Sequence, residues 1–237
     1  MSELDCGFRR NDETFFMLGG AGPRHGHLLE DILMPRIDDY IAAKHLAVQT
    51  LQDMPLENLA ERSGFQQAPD SALLAPFLTR TYRIAYPDFQ FSDDANPQPI
   101  PIQEEVLILH YLMGKPPAYP TGNWVAYREI PGAHFYFSAF LKRAVDPLKK
   151  TFGSNLDLLG RASERLGASR IDAGDAGFFF SVFPKVPMEW VVYAGDEEFP
   201  AEANILFDKS IGTILSPEDI AWMAGMVVYR LMALARN

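Results

Sequence analysis

The sequence contains a single cysteine, Cys6, among 237 residues. One thiol excludes an internal disulfide, and it excludes a four-cysteine zinc or iron–sulfur site built from this chain alone. Basic residues are also scarce, because 21 Lys and Arg stand against 31 Asp and Glu and leave a net charge of −10. Nucleic-acid binding and docking on an anionic membrane both draw on a basic surface. We therefore expect neither nucleic acid nor a membrane as a partner.

Long apolar runs and catalytic motifs are lacking as well. The most apolar segment, Ile220–Tyr229, ends at Arg230 and is too short for a membrane span. Residues Met1–Arg10 are polar and charged, without the apolar core of a signal peptide, so we expect a cytoplasmic protein. HExxH, GxSxG, GxGxxG and Gly-Lys-Ser/Thr motifs are absent. The sequence identifies no cofactor and no metal.

Hydrophobic residues make up 48% of the chain and aromatic residues 12%, which is enough for a sizeable core. The length fits one large domain, or one domain with an appendage. We assign residues 1–37 to an N-terminal extension and residues 38–237 to a single domain. The extension contains the glycine-rich stretch Gly19–His27, whose spacing does not match a dinucleotide-binding loop. We interpret it as a flexible or packing loop, with phosphate binding as the alternative.

Hydrophobic periodicity predicts both helices and strands. The predicted helices are Asp38–Asp53, Leu56–Ser63, Gln103–Met113, Phe135–Asp146, Asn155–Leu166 and a last helix capped by Ser216. Strands are predicted within Leu73–Phe91 and at Trp124–Ile130, Phe178–Phe183, Met188–Tyr193 and Ala203–Phe207. Because strands and helices do not alternate regularly, a Rossmann fold or barrel is excluded. The sequence predicts an α+β domain, a mostly antiparallel sheet with packed helices.

Two predicted strands, Phe178–Phe183 and Met188–Tyr193, are largely apolar on both faces. We expect them at the centre of the sheet, covered by helices. Glu189 is the polar exception, on the face that it shares with Val191 and Tyr193. A covered carboxylate there would need a partner or a raised pKa. Exposure at a sheet border is the simpler explanation.

The stretch Gly195–Asp208 is rich in carboxylates and follows the predicted central strand. The carboxylates that could form a site are Asp196, Glu197, Glu198 and Asp208. Ligands often bind where strands leave a sheet, and converging carboxylates would raise one pKa or bind a divalent cation or an amine. Asp208 joins the others only if the intervening chain folds back. The alternative, which the sequence favours, is a solvated turn anchored by Phe199 and Pro200.

Arg128 and His134 flank a predicted Pro-Gly turn. His134 begins the predicted helix that follows, and the free N–H groups of a helix N-terminus attract anions. With Arg128 nearby, these groups predict a small site for an anion or carboxylate. The alternative is that Arg128 pairs with Glu129 or another surface acid. A further histidine, His110, lies on an apolar helix stripe, and we interpret it as a core residue bonded to a backbone carbonyl.

Several segments resemble an uncharacterised family of bacterial and archaeal proteins. They are ILHYLM from Ile108 to Met113, WVAYREIPG from Trp124 to Gly132, FPKVP from Phe183 to Pro187, the stretch Gly195–Asp208, and LSPED from Leu215 to Asp219. The resemblance runs from about residue 38 to the C-terminus. The family is known as a domain of unknown function, sometimes described as iron–sulfur proteins, and some members carry a four-cysteine module. This chain lacks that module, so the resemblance implies no electron transfer of its own.

Two functions fit these observations. The family resembles enzymes of strictly anaerobic metabolism in its distribution. Together with the lack of a catalytic motif, this favours a ligand-binding or accessory protein for a metal- or cofactor-dependent enzyme, with a redox or cofactor enzyme as partner. The alternative is an enzyme that uses carboxylates between Asp196 and Asp208, with Arg128 and His134 holding an anionic substrate. That alternative requires one shared pocket. A structural subunit is a third option, and the oligomeric state stays open.

Overall fold

The computed structural model describes residues 37–236. The predictions made for Cys6, for the glycine-rich stretch and for all of the extension except Ile37 lie outside the described residues. The helices are α1 (Ile37–Leu51), α2 (Leu56–Ser63), α3 (Ile102–Met113), α4 (Phe137–Phe140), α5 (Asp146–Phe152), α6 (Leu156–Arg165), α7 (Ile211–Ile214) and α8 (Pro217–Ala235). Within this range, no helix has the length and apolar character needed to cross a membrane.

The strands form two antiparallel sheets. They are β1 (Gln66–Ala68), β2 (Ala72–Phe77), β3 (Arg80–Ala85), β4 (Gln90–Ser92), β5 (Trp124–Ala126), β6 (Ser169–Ile171), β7 (Ala176–Phe183), β8 (Val186–Tyr193) and β9 (Glu202–Asp208). The first sheet has the order β1-β2-β3-β4, and the second has the order β5-β9-β8-β7-β6. The predicted α+β class and antiparallel pairing are confirmed, although the strands divide into two sheets.

The central strands β7 and β8 bury one face of the second sheet completely. Phe178 of β7 lies opposite Trp190 of β8, which in turn lies opposite Ile205 of β9, and all three are buried. On the other face Glu189 is half-buried and Tyr193 is exposed. The central position is therefore confirmed, but complete cover of both faces is wrong. An apolar side chain does not by itself show burial, because more than half of a typical protein surface is apolar.

The predicted strand Trp124–Ile130 is too long. It ends at Ala126, and Tyr127–Glu129 forms a 3-10 turn. The Glu129 carboxylate accepts a hydrogen bond from the Ala126 N–H at 2.6 Å, which closes the turn. The Tyr127 ring is buried in a parallel stack on Phe140, with 4.2 Å between the ring centroids. Tertiary packing of one aromatic ring thus ends the strand early.

The predicted helix Phe135–Asp146 is instead the first part of a longer helical segment. It runs from α4 through a π-helical turn, Leu141–Val145, directly into α5. The predicted end at Asp146 precedes Pro147, whose ring clashes with a carbonyl of the preceding turn in a regular helix. The wider π turn ends one residue before Asp146, and the helix continues past the proline.

Candidate functional site

The last helix, α8, begins with the predicted cap. The Ser216 hydroxyl accepts a hydrogen bond from the Asp219 N–H at 3.1 Å and donates one to the Asp219 carboxylate at 2.7 Å. Pro217 occupies the first helical position, where a missing N–H has no consequence. The prediction of a serine cap is confirmed. This cap fixes Glu218 and Asp219 in the first turn of α8.

His110, in the last turn of α3, binds this first turn. Its Nδ1 lies 2.9 Å from Oδ1 of Asp219, and its side chain is 29% exposed. Burial alone would lower the pKa of His110, but the hydrogen bond and charge of Asp219 outweigh it and raise the pKa. The predicted backbone carbonyl partner is therefore wrong, because α8 brings a carboxylate to the imidazole.

Glu218 lies beside Asp219 in a different electrostatic environment. Burial raises the pKa of Glu218, and the negative charge of Asp219 raises it further. A hydrogen bond from Tyr136 and the positive charge of Arg143 act in the opposite direction without cancelling the shift. The two adjacent carboxyl groups thus have different partners, Tyr136 for Glu218 and His110 for Asp219.

The π turn places Arg143 on an aromatic side chain of α8. Its guanidinium carbon lies 4.5 Å from the centroid of the Trp222 ring, within cation–π distance. The Tyr40 ring of α1 meets Trp222 edge to face at 5.8 Å. A Cβ atom added at Gly225 would lie 3.3 Å from the Arg143 carbonyl oxygen, so the π turn and α8 approach closely. Single π turns are frequent at functional sites.

Two donors in this region are buried and unsatisfied. Neither the Tyr40 hydroxyl nor the Trp222 indole N–H has a hydrogen-bond partner among the residues that the structure describes. Tyr40 as a whole is 9% exposed. Buried polar groups nearly always have partners, so two neighbouring exceptions need an explanation. We name this set the α8 cluster: Tyr40, His110, Tyr136, Arg143, Glu218, Asp219 and Trp222.

Asp208 lies outside the cluster and holds a loop in place. It is 2% exposed, and its carboxylate accepts hydrogen bonds from the Thr121 hydroxyl at 3.0 Å, the Gly122 N–H at 2.7 Å and the Ser210 hydroxyl at 2.5 Å. Burial would raise the pKa of Asp208, but these hydrogen bonds outweigh it and lower the pKa. A carboxylate whose oxygens are occupied in this way stabilises the 121–123 loop.

The other predicted carboxylates lie at the opposite end of β9. Asp196 accepts hydrogen bonds from the N–H groups of Glu198 at 2.8 Å and Phe199 at 2.7 Å, which lower its pKa and close a local turn. Glu197 and Glu198 are exposed, and so is Phe199, so the predicted anchoring of the turn by the Phe199 ring is wrong. Because β9 has seven residues, Asp208 lies roughly 20 Å along the strand from this turn. The structure does not bring these carboxylates together.

Glu189 occupies a central strand rather than a sheet border. Its neighbours are Phe179 of β7 and Leu206 of β9, and burial raises the pKa of its carboxyl group. It lies on the half-open face of the second sheet. Its location therefore differs from the border that the sequence suggested, and it does not belong to the α8 cluster.

Arg128 and His134 lie next to the α8 cluster. Both are exposed, and the Arg128 guanidinium stacks on Phe137 at 3.8 Å. A Cβ atom added at Gly132 would meet Pro217 at 3.6 Å, which places this turn beside the start of α8. The acidic turn, residues 195–199, lies at the other end of helical segment 137–152, because the Gly195 N–H donates to the Gly153 carbonyl oxygen at 3.1 Å. That segment is roughly 24 Å long. One small ligand cannot contact both groups.

A cavity of about 180 Å³ lies between the two sheets and the end of α6. Its lining consists of Pro76, Leu78, Leu166, Gly167 and residues 181–184. The cavity touches neither residues 195–208 nor the α8 cluster, so it gives no support to the predicted acidic site.

The family is established by a comparison of the whole sequence. The profile of the DUF3786 family, described as a domain of unknown function, matches residues 55–230. The chain belongs to the DUF3786 family. Neither a curated protein nor a solved structure gives a significant match. The DUF3786 match confirms the predicted resemblance to an uncharacterised family, and its description does not mention iron–sulfur clusters.

Two of the segments that carry the family resemblance meet in the structure. ILHYLM supplies His110 and LSPED supplies Asp219, and the structure joins these two segments through a 2.9 Å contact. Sequence reasoning found both segments but missed the pair, together with Tyr40, Arg143 and Trp222. Between residues 37 and 236, no group of three or more His, Cys, Asp or Glu side chains is placed to hold a metal ion.

Proposed function

We propose that this DUF3786 protein binds a small-molecule ligand at the α8 cluster and serves as an accessory to a metal- or cofactor-dependent enzyme of anaerobic metabolism. The binding part rests on one observation, the two buried donors of Tyr40 and Trp222 that lack a partner among the described residues. The accessory part rests on the family resemblance and on the absence of a catalytic motif from the sequence.

The free-energy cost of unsatisfied donors favours a ligand at the α8 cluster. Each buried and unsatisfied donor costs about 1–3 kcal/mol of stability. A ligand with an acceptor atom would recover this free energy on binding. His110 and Asp219 are partly exposed, so the cluster reaches the surface on the side of α3 and the first turn of α8. Arg128, which lies near the start of α8, would attract a ligand of negative charge, and the exposed His134 lies beside the same turn.

The indole N–H signals of the protein test the binding part. The chain contains three tryptophans, Trp124, Trp190 and Trp222, so the ¹H–¹⁵N spectrum should show three indole signals. The Trp222→Phe variant assigns the relevant one. We expect the low-molecular-mass fraction of an anoxic cell extract to shift the Trp222 signal in the wild type. The Trp124→Phe variant should respond as the wild type does. An unchanged Trp222 signal would exclude a ligand at this site.

The accessory part needs a contact surface, and we place it at residues 194–201. Phe199 in this loop is 67% exposed and stands beside Glu197 and Glu198. This combination fits a basic surface that carries an apolar depression. Affinity capture under anoxic conditions should recover one partner, and charge reversal by Glu197→Lys with Glu198→Lys should abolish that recovery. Recovery of the protein alone, or of a partner that tolerates charge reversal, would contradict this role.

A further inference from the structure

We infer that the ligand of the α8 cluster presents a carboxylate group to the Tyr40 hydroxyl and the Trp222 indole N–H, with the Arg143 guanidinium balancing its charge. This inference rests on the proposed function of the same site and names the chemical class of its ligand.

The unsatisfied groups can only be matched by an acceptor. An indole N–H donates and never accepts. Burial raises the pKa of Tyr40, and the charges of Glu218 and Asp219 raise it further, so the hydroxyl keeps its proton. The ring centroids of Tyr40 and Trp222 lie 5.8 Å apart, and the proposed binding mode requires that one small group reach both donors. A ligand amine, which brings additional donors, would leave both groups unsatisfied.

The charges around the donors favour an anionic acceptor. Arg143 carries a permanent positive charge against the Trp222 ring, and the His110 imidazole adds a positive charge when it is protonated. Three acids act on Tyr40, namely Asp39, Glu218 and Asp219. Asp219 already binds His110 and Ser216, and Glu218 accepts a hydrogen bond from Tyr136. These contacts take up part of the negative charge that would oppose an incoming anion.

Shape selects a carboxylate among the anions. The two unsatisfied donors match the two oxygen atoms of a carboxylate, which is flat and can lie along an aromatic ring. Phosphate and sulfate are tetrahedral and would bring additional oxygen atoms that need donors of their own. The Tyr40 and Trp222 rings meet edge to face with an interplanar angle of 78°, and both rings are flat, as a carboxylate is.

A titration of the full chain, followed at the Trp222 indole signal, compares three ligands. They are benzoate, which has a carboxylate, benzamide, which has an uncharged acceptor, and inorganic phosphate, which is a tetrahedral anion. We expect benzoate to shift this signal in a saturable way, whereas benzamide and phosphate do not. The Tyr40→Phe variant keeps the ring and removes one hydrogen bond to a charged group, so it should weaken benzoate binding about tenfold. Trp124→Phe, a change in β5 outside the cluster, should bind benzoate as the wild type does.

Each contrary result has a distinct meaning. Equal binding of benzamide would overturn the requirement for charge, and tighter binding of phosphate would overturn the carboxylate. A benzoate shift that persists unchanged in Tyr40→Phe would remove Tyr40 from the site. If extract shifts the Trp222 signal and benzoate does not, the carboxylate inference fails while the proposed function survives. If neither shifts it, both fail. Thermal unfolding of each variant confirms that it is folded.

Discussion

At the scale of single residues, the Tyr40 hydroxyl lowers the stability of the ligand-free protein. It is buried without a hydrogen-bond partner among the described residues, so Tyr40→Phe should raise the free energy of unfolding by about 1 kcal/mol. Tyr127→Phe is the matched control, because the Tyr127 hydroxyl donates to the Pro217 carbonyl at 2.7 Å. That variant should lose about 1 kcal/mol. Urea denaturation measures both, and a loss of stability in Tyr40→Phe would show that its hydroxyl is satisfied.

Asp208 makes the opposite contribution. Asp208→Ala leaves the donors of Thr121, Gly122 and Ser210 without an acceptor, so the free energy of unfolding should fall by about 2–4 kcal/mol. Asp196→Ala, which removes an exposed local turn contact, should have a much smaller effect. Equal effects of the two substitutions in urea denaturation would contradict a structural role for Asp208.

The stability that Asp208 provides also depends on pH. Its pKa is lowered in the folded protein, so the contribution is fully present above the unfolded carboxyl pKa of about 3.9. It is lost as the pH falls through the lower folded pKa. Denaturation curves of the wild type and Asp208→Asn should therefore converge towards acid pH. A difference that grows on acidification would contradict the lowered pKa.

At the scale of elements, Gly153 lets the acidic turn pack on the end of α5. A Cβ atom at this position would lie 2.3 Å from Cβ of Ala201 and 2.6 Å from the Lys149 carbonyl oxygen. Gly153→Ala should therefore destabilise the protein by about 1–3 kcal/mol. Gly212→Ala is the control, because a Cβ there would meet Ile130 at an ordinary 3.6 Å. If both variants unfold at the same denaturant concentration, the close approach at Gly153 has been misassigned.

At the scale of the whole molecule, Arg230 links α8 to α3 and to the first sheet. Its Nη2 lies 2.6 Å from the Glu104 carboxylate and 3.2 Å from the Tyr82 hydroxyl. Burial, followed by the hydrogen bond with Glu104, raises the pKa of Tyr82 to about 12. This polar link connects the first sheet to the helix that carries Glu218, Asp219 and Trp222 of the α8 cluster.

Arg230→Met leaves the Glu104 carboxylate without its partner. The free energy of unfolding should therefore fall by about 2–3 kcal/mol, somewhat less than the loss expected for a fully buried pair. Adding Glu104→Met should restore part of this loss, since the uncompensated charge is removed. Lys149→Met is the exposed control, because Lys149 pairs loosely with Glu202 at 3.8 Å and should contribute about 0–1 kcal/mol. Additive effects in the double variant would show that Arg230 and Glu104 act independently.

Local chemistry in the sequence determined most of the secondary structure and the fold class. Ser216 with Pro217 predicts the start of α8, and Gly64, in a left-handed conformation at φ 76°, ends α2 where the sequence places the end. The apolar runs of β7 and β8 predict a central pair, which is observed. These signals are short-range, because a cap, a helix-ending glycine or an alternating strand depends on neighbours within a few residues.

Only the tertiary structure decided which residues share a site. Tyr40, His110, Arg143 and Trp222 belong to separate helical elements, and no local pattern states that they meet. The π turn before Pro147 and the stack of Tyr127 on Phe140 also depend on distant partners. The acidic turn shows the converse, since its carboxylates are adjacent in sequence yet β9 carries Asp208 away from them. Proximity between elements comes from long-range packing, which sequence spacing does not encode.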